Sequence, residues 1–217
     1  MDLRGFLYEF SYWAIPTLLA ITWREAARGW AARHLGDHTA ESLGRLRLNP
    51  LRHIDPIGTV LIPALFLGLH LPIFGWAKPL PVVLAGLPNP RRAAVLNALA
   101  APAANVLMAL FWCAVMGSII RTSGDTVEKW LLLMSYAGIL SNASLAIVYL
   151  LPIPPLDGWR ILAAFLPTQW NRGSEKFAPA GLVIVVGLSV FKMFGWLLIP
   201  TYWAAGQVMS VLSARPT

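Results

Sequence analysis

The sequence predicts an all-α integral membrane protein, on the basis of its composition and two long uncharged segments. Hydrophobic residues make up 57% of the 217 residues and charged residues 12%, whereas soluble domains carry about 25% charged residues. The mean hydropathy is +0.62. Residues 93–120 and 130–156 contain no Asp, Glu, Lys, Arg or His. Both segments exceed the ~20 apolar residues that a membrane-spanning helix needs.

The first predicted element is a span from about Phe6 to His34, whose last turns carry the charged sequence "REAAR". A polar connection follows. The next apolar segment, residues 59–77, is interrupted by two prolines and two glycines. Its length allows one crossing, but these interruptions equally fit a re-entrant or hairpin segment shielded by the rest of the protein. Residues 78–92 contain too much proline for a helix and are predicted to form a loop.

Two further spans are predicted at about residues 92–120 and 130–152. The second ends in "LPIPPLDGWR", where three prolines must interrupt the helix and leave the backbone irregular near the membrane. Residues 161–176 return to the surface. The remaining tail is predicted to hold one span and a second apolar piece after Pro200. Aromatic residues near its ends suit the membrane interface: Trp196, Tyr202 and Trp203. No linker or repeat divides the chain, so residues 1–217 are predicted to form one membrane-embedded domain.

The formal charge is +7, and much of it lies in one connection rather than along a stripe. Six arginines fall in this segment: Arg24, Arg28, Arg33, Arg45, Arg47 and Arg52. Excess arginine between spans is typical of cytoplasmic loops, so the segment Arg24–Arg52 is predicted to be cytoplasmic and the protein to be a multi-pass protein of the cell inner membrane. This distribution does not favour nucleic-acid binding, and the lipid bilayer is the predicted partner.

The charged residues at the end of the first span are the first candidates for a functional site, because ionisable groups at membrane depth are costly. Helical spacing places Arg24 and Arg28 on one face, one turn apart, with Glu25 to the side. This is the spacing of His-Glu-x-x-His, in which two imidazoles bind zinc and the glutamate acts as a base. Histidine is absent from both positions. Asp157, after the proline-rich stretch, is the second candidate.

Four further stretches share a family's motifs in order and with consistent spacing. They are "GDHTAESLGRLRLNPLRHIDPIGT" at 36–59, "FGWAKP" at 74–79, "AAPAAN" at 100–105 and "LLPIPPLDG" at 150–158. With the charged turn, they make the chain resemble a short bacterial member of the site-2 protease family of intramembrane zinc metalloproteases. The resemblance covers about residues 20–160. It implies a multi-span helical bundle whose core is formed by the first span and the third and fourth apolar segments.

The chain departs from the family pattern at residues that the resemblance assigns to metal and substrate binding. The resemblance places Arg24 and Arg28 at the two zinc-histidine positions, Glu25 at the base position and Asp157 at the third, carboxylate ligand position. Tyr149 stands where the family has an asparagine that contributes to substrate or oxyanion binding. Asn105 and three prolines match family positions beside the substrate: Pro152, Pro154 and Pro155.

An arginine has no lone pair to give a metal, and catalytic zinc needs about three protein ligands. One carboxylate is not such a site, so no cofactor is expected for this chain, although the resemblance implies zinc in active relatives. His34 and His38 are also four residues apart, but they lie beyond Glu25 and are interpreted as solvated loop residues.

Two roles are open for the arginines. In the first, they bridge to Asp157, and also to Glu25, and hold the first span against the proline-rich turn as a metal would. The two cations then balance the two carboxylates, and a mutually paired buried cluster is tolerated where a lone charge is not. In the second, the arginines extend to anionic lipid headgroups at the helix end.

The sequence therefore predicts a pseudo-protease that keeps a scaffold for binding transmembrane segments and regulates membrane partners. Two other functions stay open. An active zinc-dependent intramembrane metalloprotease would need another ligand set, or arginines introduced into an active parent. A small transport or channel protein would need a path of intramembrane charges.

Overall fold

The computed structural model describes residues 3–47, 49–122, 126–167 and 174–191, together with residues 193, 195, 196, 198, 199, 203 and 206. The described part is helical and contains no β-strand. Its α-helices are α1 (Leu3–His34), α2 (Thr39–Ser42), α3 (Ile62–Gly68), α4 (Pro90–Thr122), α5 (Thr126–Tyr149), α6 (Asp157–Phe165) and α7 (Ala178–Val190). Short 3-10 turns occupy Pro50–Arg52 and Ser174–Phe177, and a π-helical turn, Pro56–Leu61, leads into α3.

The three long helices α1, α4 and α5 pack against one another and form the body of the molecule. Two stretches, Pro90–Ile120 and Lys129–Tyr149, are long and apolar enough to cross a membrane. The predicted spans at 92–120 and 130–152 therefore coincide with helices to within a few residues. Absence of charge marks such helices clearly, because a charged side chain in hydrocarbon is costly.

The segment predicted at 59–77 forms a helix only as far as Gly68. The apolar helical stretch Pro56–Gly68 has 13 residues, which span about 20 Å at 1.5 Å per residue. The hydrocarbon core is ~30 Å thick, so this stretch is too short to cross as a helix, which favours the re-entrant alternative. After it, a connecting segment of residues 69–89 runs without helix or strand to the start of α4.

The tail contains α7, which is 13 residues long and by itself shorter than the ~20 residues of a single span. The described residues 195, 196, 198, 199, 203 and 206 beyond it are also helical, so the span predicted in the tail stays a prediction. Much of the predicted second piece after Pro200, including Tyr202, lies outside the described residues.

The proline-rich turn between α5 and α6 is packed closely against its neighbours. A Cβ at Gly158 would overlap the carbonyl oxygen of Leu150, and a Cβ at Gly181 would overlap the carbonyl oxygen of Pro154. Glycine at these positions lets α6 and α7 approach the turn backbone. This packing fixes Asp157, the first residue of α6, against the interior face of α1.

The main apolar core lies beside this turn. It includes Ile21 of α1, Phe66 of α3, Phe74 of the connecting segment and Leu145 of α5, all almost fully buried. The end of α1, the connecting segment and the turn before α6 therefore meet at one place.

Candidate functional site

The interior face of α1 carries three charged side chains into the protein. Arg24, Glu25 and Arg28 are 4%, 7% and 7% exposed, and Asp157 is 2% exposed. We call these four residues the charged cluster. Buried charges are tolerated only when they are paired and hydrogen-bonded, so their partners decide what this site can do.

The Arg24 side chain joins α1 to the start of α6. Its Nη2 donates to Oδ2 of Asp157 at 2.5 Å. The guanidinium carbon lies 3.3 Å from the centroid of the Tyr149 ring, the distance and arrangement of a cation–π contact. The predicted bridge between the arginine at position 24 and Asp157 is confirmed, and the alternative in which both arginines extend to lipid headgroups is not what the structure shows.

The Arg28 side chain completes the cluster one turn further along α1. Its Nη1 lies 3.2 and 3.3 Å from the two carboxylate oxygens of Glu25, and its Nε lies 4.0 Å from Oδ1 of Asp157. Oε1 of Glu25 also accepts a hydrogen bond from the backbone N–H of Leu80 at 2.9 Å. The two cations and two carboxylates therefore pair with one another, and their formal charges sum to zero.

Tyr149, the last residue of α5, ties the cluster to the connecting segment. Its hydroxyl donates to the carbonyl oxygen of Gly75 at 2.7 Å, and its ring stacks on Phe74 with centroids 5.6 Å apart. The aromatic side chain thus fills the space between Arg24 and the connecting segment. Tyr149 therefore makes structural contacts in this protein, and the substrate-binding role predicted for position 149 stays a prediction.

The buried asparagines join the long helices. Nδ2 of Asn105 donates to the carbonyl oxygen of Ala20 at 3.1 Å and to Oδ1 of Asn142 at 2.9 Å. Nδ2 of Asn97 donates to the carbonyl oxygen of Arg28 at 2.7 Å. These bonds connect α4 with α1 and α5, which is the common use of asparagine between membrane helices. A substrate-binding role for Asn105 stays a prediction.

The three prolines before Asp157 differ in their surroundings. Pro152 is exposed, whereas Pro154 and Pro155 are half-buried and line a cavity that also reaches Arg28. The structure therefore brings two of the three prolines next to the charged cluster. Their predicted part in substrate binding stays a prediction.

Residues of the stretch 36–59 hold the connecting segment in place, a role that sequence reasoning missed. Oδ2 of Asp37 accepts from the backbone N–H of Val83 at 2.6 Å. The Thr59 hydroxyl donates to the carbonyl oxygen of Trp76 at 2.9 Å, and Nη1 of Arg45 donates to that of Pro79 at 3.0 Å. The Asp-x-Thr pattern at 37–39 signals a local turn, but it does not identify a partner 46 residues away.

Asp37 also has a perturbed acidity. Burial acts to raise the pKa of its carboxyl, but hydrogen bonds from Thr39 and Val83 and the proximity of His38 lower it below the ordinary value. The ionised form is therefore the one that the loop stabilises.

The histidines take no part in the charged cluster. Nδ1 of His34 contacts the carbonyl oxygen of Trp30, Nδ1 of His38 contacts Glu41, and both side chains are exposed. His53 is buried, with Nε2 2.8 Å from the carbonyl oxygen of Arg47. Among the described residues, no group of three His, Cys, Asp or Glu side chains is placed to hold a metal ion.

The residues of the charged cluster do not fit a catalytic zinc ion. Both guanidinium groups are donors only, and the Asp157 carboxylate is already bound to Arg24. The buried Nε atoms of Arg24 and Arg28 make no hydrogen bond within the described part of the chain, although Nε of Arg28 lies 4.0 Å from Oδ1 of Asp157. The two guanidinium groups thus occupy the carboxylates that a metal ion would need.

Three relatives show what the chain is similar to. It is 33% identical over 192 residues to "Putative zinc metalloprotease YwhC" of Bacillus subtilis, covering 87% of this chain and 84% of that protein. It is 27% identical over 189 residues to "Putative zinc metalloprotease Rip2" of Mycolicibacterium smegmatis, covering 86% of this chain and 70% of the relative. The Rip2 protein of Mycobacterium tuberculosis is 28% identical over 194 residues, with the same coverage. No protein-family model and no solved structure matches the chain.

Proposed function

The chain belongs to the site-2 protease family of zinc metalloproteases, and on that premise we propose that it is a pseudo-protease: a catalytically inactive member that binds transmembrane segments of other proteins. The observation that carries this proposal is the ion pair between Arg24 and Asp157. At positions where the family pattern has metal ligands, this chain has a cation bound to the remaining carboxylate.

The base position supports the same proposal. Glu25 is held by Arg28 and by the backbone N–H of Leu80, so both of its oxygens lie near hydrogen-bond donors within the protein. A general base must accept a proton from a water or substrate within hydrogen-bond reach. To act as such a base, Glu25 would first have to exchange these protein donors for a water or a substrate group.

The scaffold around the charged cluster is the part that we propose to be functional. The cluster joins α1 to the turn before α6, as a metal shared between the same residues would do. An irregular proline-rich stretch such as 152–155 leaves backbone groups available to an extended partner chain. We propose that a transmembrane segment is bound there and is shielded or regulated without being cut.

We also propose a multi-pass arrangement in the cell inner membrane. Two helices are long and apolar enough to span it, and the 32 residues of α1 extend for about 48 Å at 1.5 Å per residue. The arginines of the segment Arg24–Arg52 favour a cytoplasmic position for this end of the bundle. All of residues 1–217 would then belong to one membrane-embedded domain.

Zinc content and proteolysis test the proposal together. The full-length protein and the triple variant Arg24→His, Arg28→His, Tyr149→Asn would be purified with zinc present and assayed for bound metal and for cleavage of a membrane-spanning reporter. We expect neither zinc nor cleavage in the unaltered protein, because only one residue of its cluster, Asp157, stands at a predicted metal-ligand position, and catalytic zinc needs about three protein ligands. Gain of zinc and cleavage in the triple variant would show that the scaffold still supports the lost chemistry.

The matched control is Arg91→His with Arg92→His, which adds two histidines at exposed positions at the start of α4, outside the charged cluster. It separates a restored site from adventitious zinc binding. Stoichiometric zinc and cleavage in the unaltered protein would overturn the pseudo-protease proposal. That outcome would favour the alternative, an active zinc metalloprotease, which the names of the relatives support.

A further inference from the structure

A cavity of about 160 Å³ lies at the end of the bundle away from the charged cluster. It opens between α1, α5 and the end of α3 with the first residues of the connecting segment. Its polar side chains are Glu9 of α1, His70 after α3 and Ser144 of α5. Glu9 and Glu25 both belong to α1, and a rise of 1.5 Å per residue separates them by about 24 Å. The cavity is therefore distinct from the charged cluster.

The Ser144 hydroxyl faces this cavity without a partner. The residue is only 3% exposed, yet its hydroxyl makes no hydrogen bond within the described part of the chain, whereas Ser135 and Ser141 of the same helix both make one. The oxygen is not sealed in the interior as Nε1 of Trp159 is, and the residue lines the cavity. Buried polar side chains nearly always have a partner, so this hydroxyl points to a ligand in the cavity.

His70 occupies a backbone position that favours glycine. Helix α3 ends with two hydrogen bonds, from the backbone N–H of His70 to the carbonyl oxygen of Leu67 and from that of Leu71 to that of Phe66. In this ending His70 takes a left-handed conformation, φ 53°, for which glycine is the usual residue. Residues held in such conformations are concentrated at functional sites. The imidazole is exposed at the cavity and bonds to no residue that the structure describes.

Glu9 gives the cavity its charge. Its carboxylate is half-buried and makes no ion pair or hydrogen bond with the described residues. Among the described residues that form the wall, none is arginine or lysine, so the wall carries one negative charge when His70 is neutral. A carboxylate in a membrane bundle is costly unless a cation balances it. The charge of the wall therefore favours a cationic ligand.

The polar groups of the wall match an ammonium group better than a metal ion. The carboxylate, the neutral imidazole and the hydroxyl each offer an acceptor, and a primary ammonium group has three N–H donors and no acceptor. Calcium takes about six to eight oxygen ligands, which this wall does not supply. The rest of the wall is apolar and includes Leu67, Leu140 and the aromatic ring of Trp13, a type of surface to which cations are attracted.

We propose that this cavity binds the primary ammonium group of a small aliphatic amine. Glu9, His70 and Ser144 accept its N–H groups, and the apolar wall packs against its carbon chain. A cavity of about 150 Å³ is enough for a molecule the size of benzene, so the volume suits a short amine. The ammonium group can belong to a free amine or to the ethanolamine headgroup of a phospholipid. The site goes beyond the proposed function and holds whether or not the protein cleaves a substrate.

Ligand-dependent stabilisation tests the site. The full-length protein in detergent and an amine-free buffer would be titrated separately with n-butylamine, butyltrimethylammonium and n-butanol while thermal unfolding is followed. A ligand that binds the folded state stabilises it in proportion to ln(1 + [L]/Kd). We expect saturable stabilisation by n-butylamine and a much weaker effect of the other two, because butyltrimethylammonium has no N–H donor and n-butanol has no charge.

The variant Glu9→Gln removes the charge of the cavity while keeping the size of the side chain. We expect it to raise the apparent Kd for n-butylamine about ten-fold, the effect of losing one charge-assisted hydrogen bond. The matched control is Glu41→Gln, which alters a carboxylate that pairs with Arg33 and His38 and does not line the cavity. It should leave the Kd almost unchanged.

A second pair of variants tests the hydroxyl without changing charge. Ser144→Ala should raise the Kd about five-fold, the effect of one neutral hydrogen bond. Its control is Ser135→Ala, a buried serine of the same helix that bonds to the carbonyl oxygen of Leu131 and does not line the cavity. This pair keeps the test decisive if Glu9→Gln does not fold.

Short-chain phosphatidylethanolamine, compared with phosphatidylcholine of the same chain length, distinguishes the sources. Stabilisation by phosphatidylethanolamine that is weakened by Glu9→Gln would identify a lipid headgroup, and stabilisation by n-butylamine alone would identify a free amine. The proposal is overturned if neither amine gives saturable stabilisation, or if butyltrimethylammonium or n-butanol acts as strongly as n-butylamine. It is also overturned if the cavity variants change the Kd no more than their controls.

Discussion

The charged cluster and the connecting segment lie side by side but are held by different kinds of contact. The connecting segment is fastened by hydrogen bonds between its backbone and the side chains of Asp37, Thr59 and Arg45. The cluster is held by ion pairs among two arginines and two carboxylates in the interior. Loss of one partner should therefore cost more in the cluster, where it leaves a buried charge unpaired, than in the connecting segment, where it leaves a backbone group without a hydrogen bond.

The largest expected effect comes from unpairing the cluster. Arg24→Ala leaves the Asp157 carboxylate buried without its main partner, and removing one member of a buried ion pair typically costs about 3–5 kcal/mol. We expect the free energy of unfolding in detergent to fall by about this amount. The double variant Arg24→Met, Asp157→Leu removes both charges and should recover most of it. If the single variant is as stable as the unaltered protein, the cluster does not stabilise the fold.

Loss of a contact to the connecting segment should lower the free energy of unfolding by a smaller amount. Asp37→Ala removes the acceptor for the backbone N–H of Val83 and for Thr39. Hydrogen bonds to charged groups contribute about 1.5–3 kcal/mol, so we expect a loss near 2 kcal/mol in the free energy of unfolding.

Asp37 should also make the stability of the folded protein depend on pH. The pKa of Asp37 is lower in the folded protein than its ordinary value, so its ionised form adds stability at pH above about 4. That contribution is lost as the pH falls through the folded pKa. The stability difference between the unaltered protein and Asp37→Ala should therefore shrink in acid. A difference that stays constant from pH 7 to acid would contradict this assignment.

The smallest expected effect is at the junction of the two regions. Tyr149→Phe keeps the ring that stacks on Phe74 and lies under Arg24 but removes the hydroxyl that donates to Gly75. One neutral hydrogen bond contributes about 1 kcal/mol, and the unfolding free energy should fall by about that much. Tyr149→Leu, which also removes the ring contacts, should cost more. Equal losses in the two variants would mean that the hydroxyl alone joins the regions.

Sequence reasoning succeeds where one physical requirement dominates. The ends of α4 and α5 fall within a few residues of the spans predicted at 92–120 and 130–152, because charge is costly in hydrocarbon. The bridge to Asp157 follows from the need to pair buried charges. These inferences rest on residue spacing along one helix or on a balance of buried charges. Neither inference requires knowledge of how the backbone runs elsewhere in the protein.

The remaining contacts depend on how irregular segments run through space. The Tyr149 bond to Gly75 and the Asp37 bond to Val83 join residues 74 and 46 positions apart. Residues 69–89 have no repeating pattern that sets which backbone groups face the helices. Apolar composition has a similar limit, because it shows that a segment avoids water but does not determine where a helix such as α7 ends.

The pairing of charges in the cluster also limits which single substitutions the site can accept. A single Arg24→His or Arg28→His substitution would leave one guanidinium facing two buried carboxylates, so each one-step intermediate is less stable than either end point. Position 149 adds a further obstacle, since its ring occupies the space next to position 24. Conversion of the cluster to a metal-binding site would therefore require several substitutions at once, because each single step leaves a buried charge without its partner.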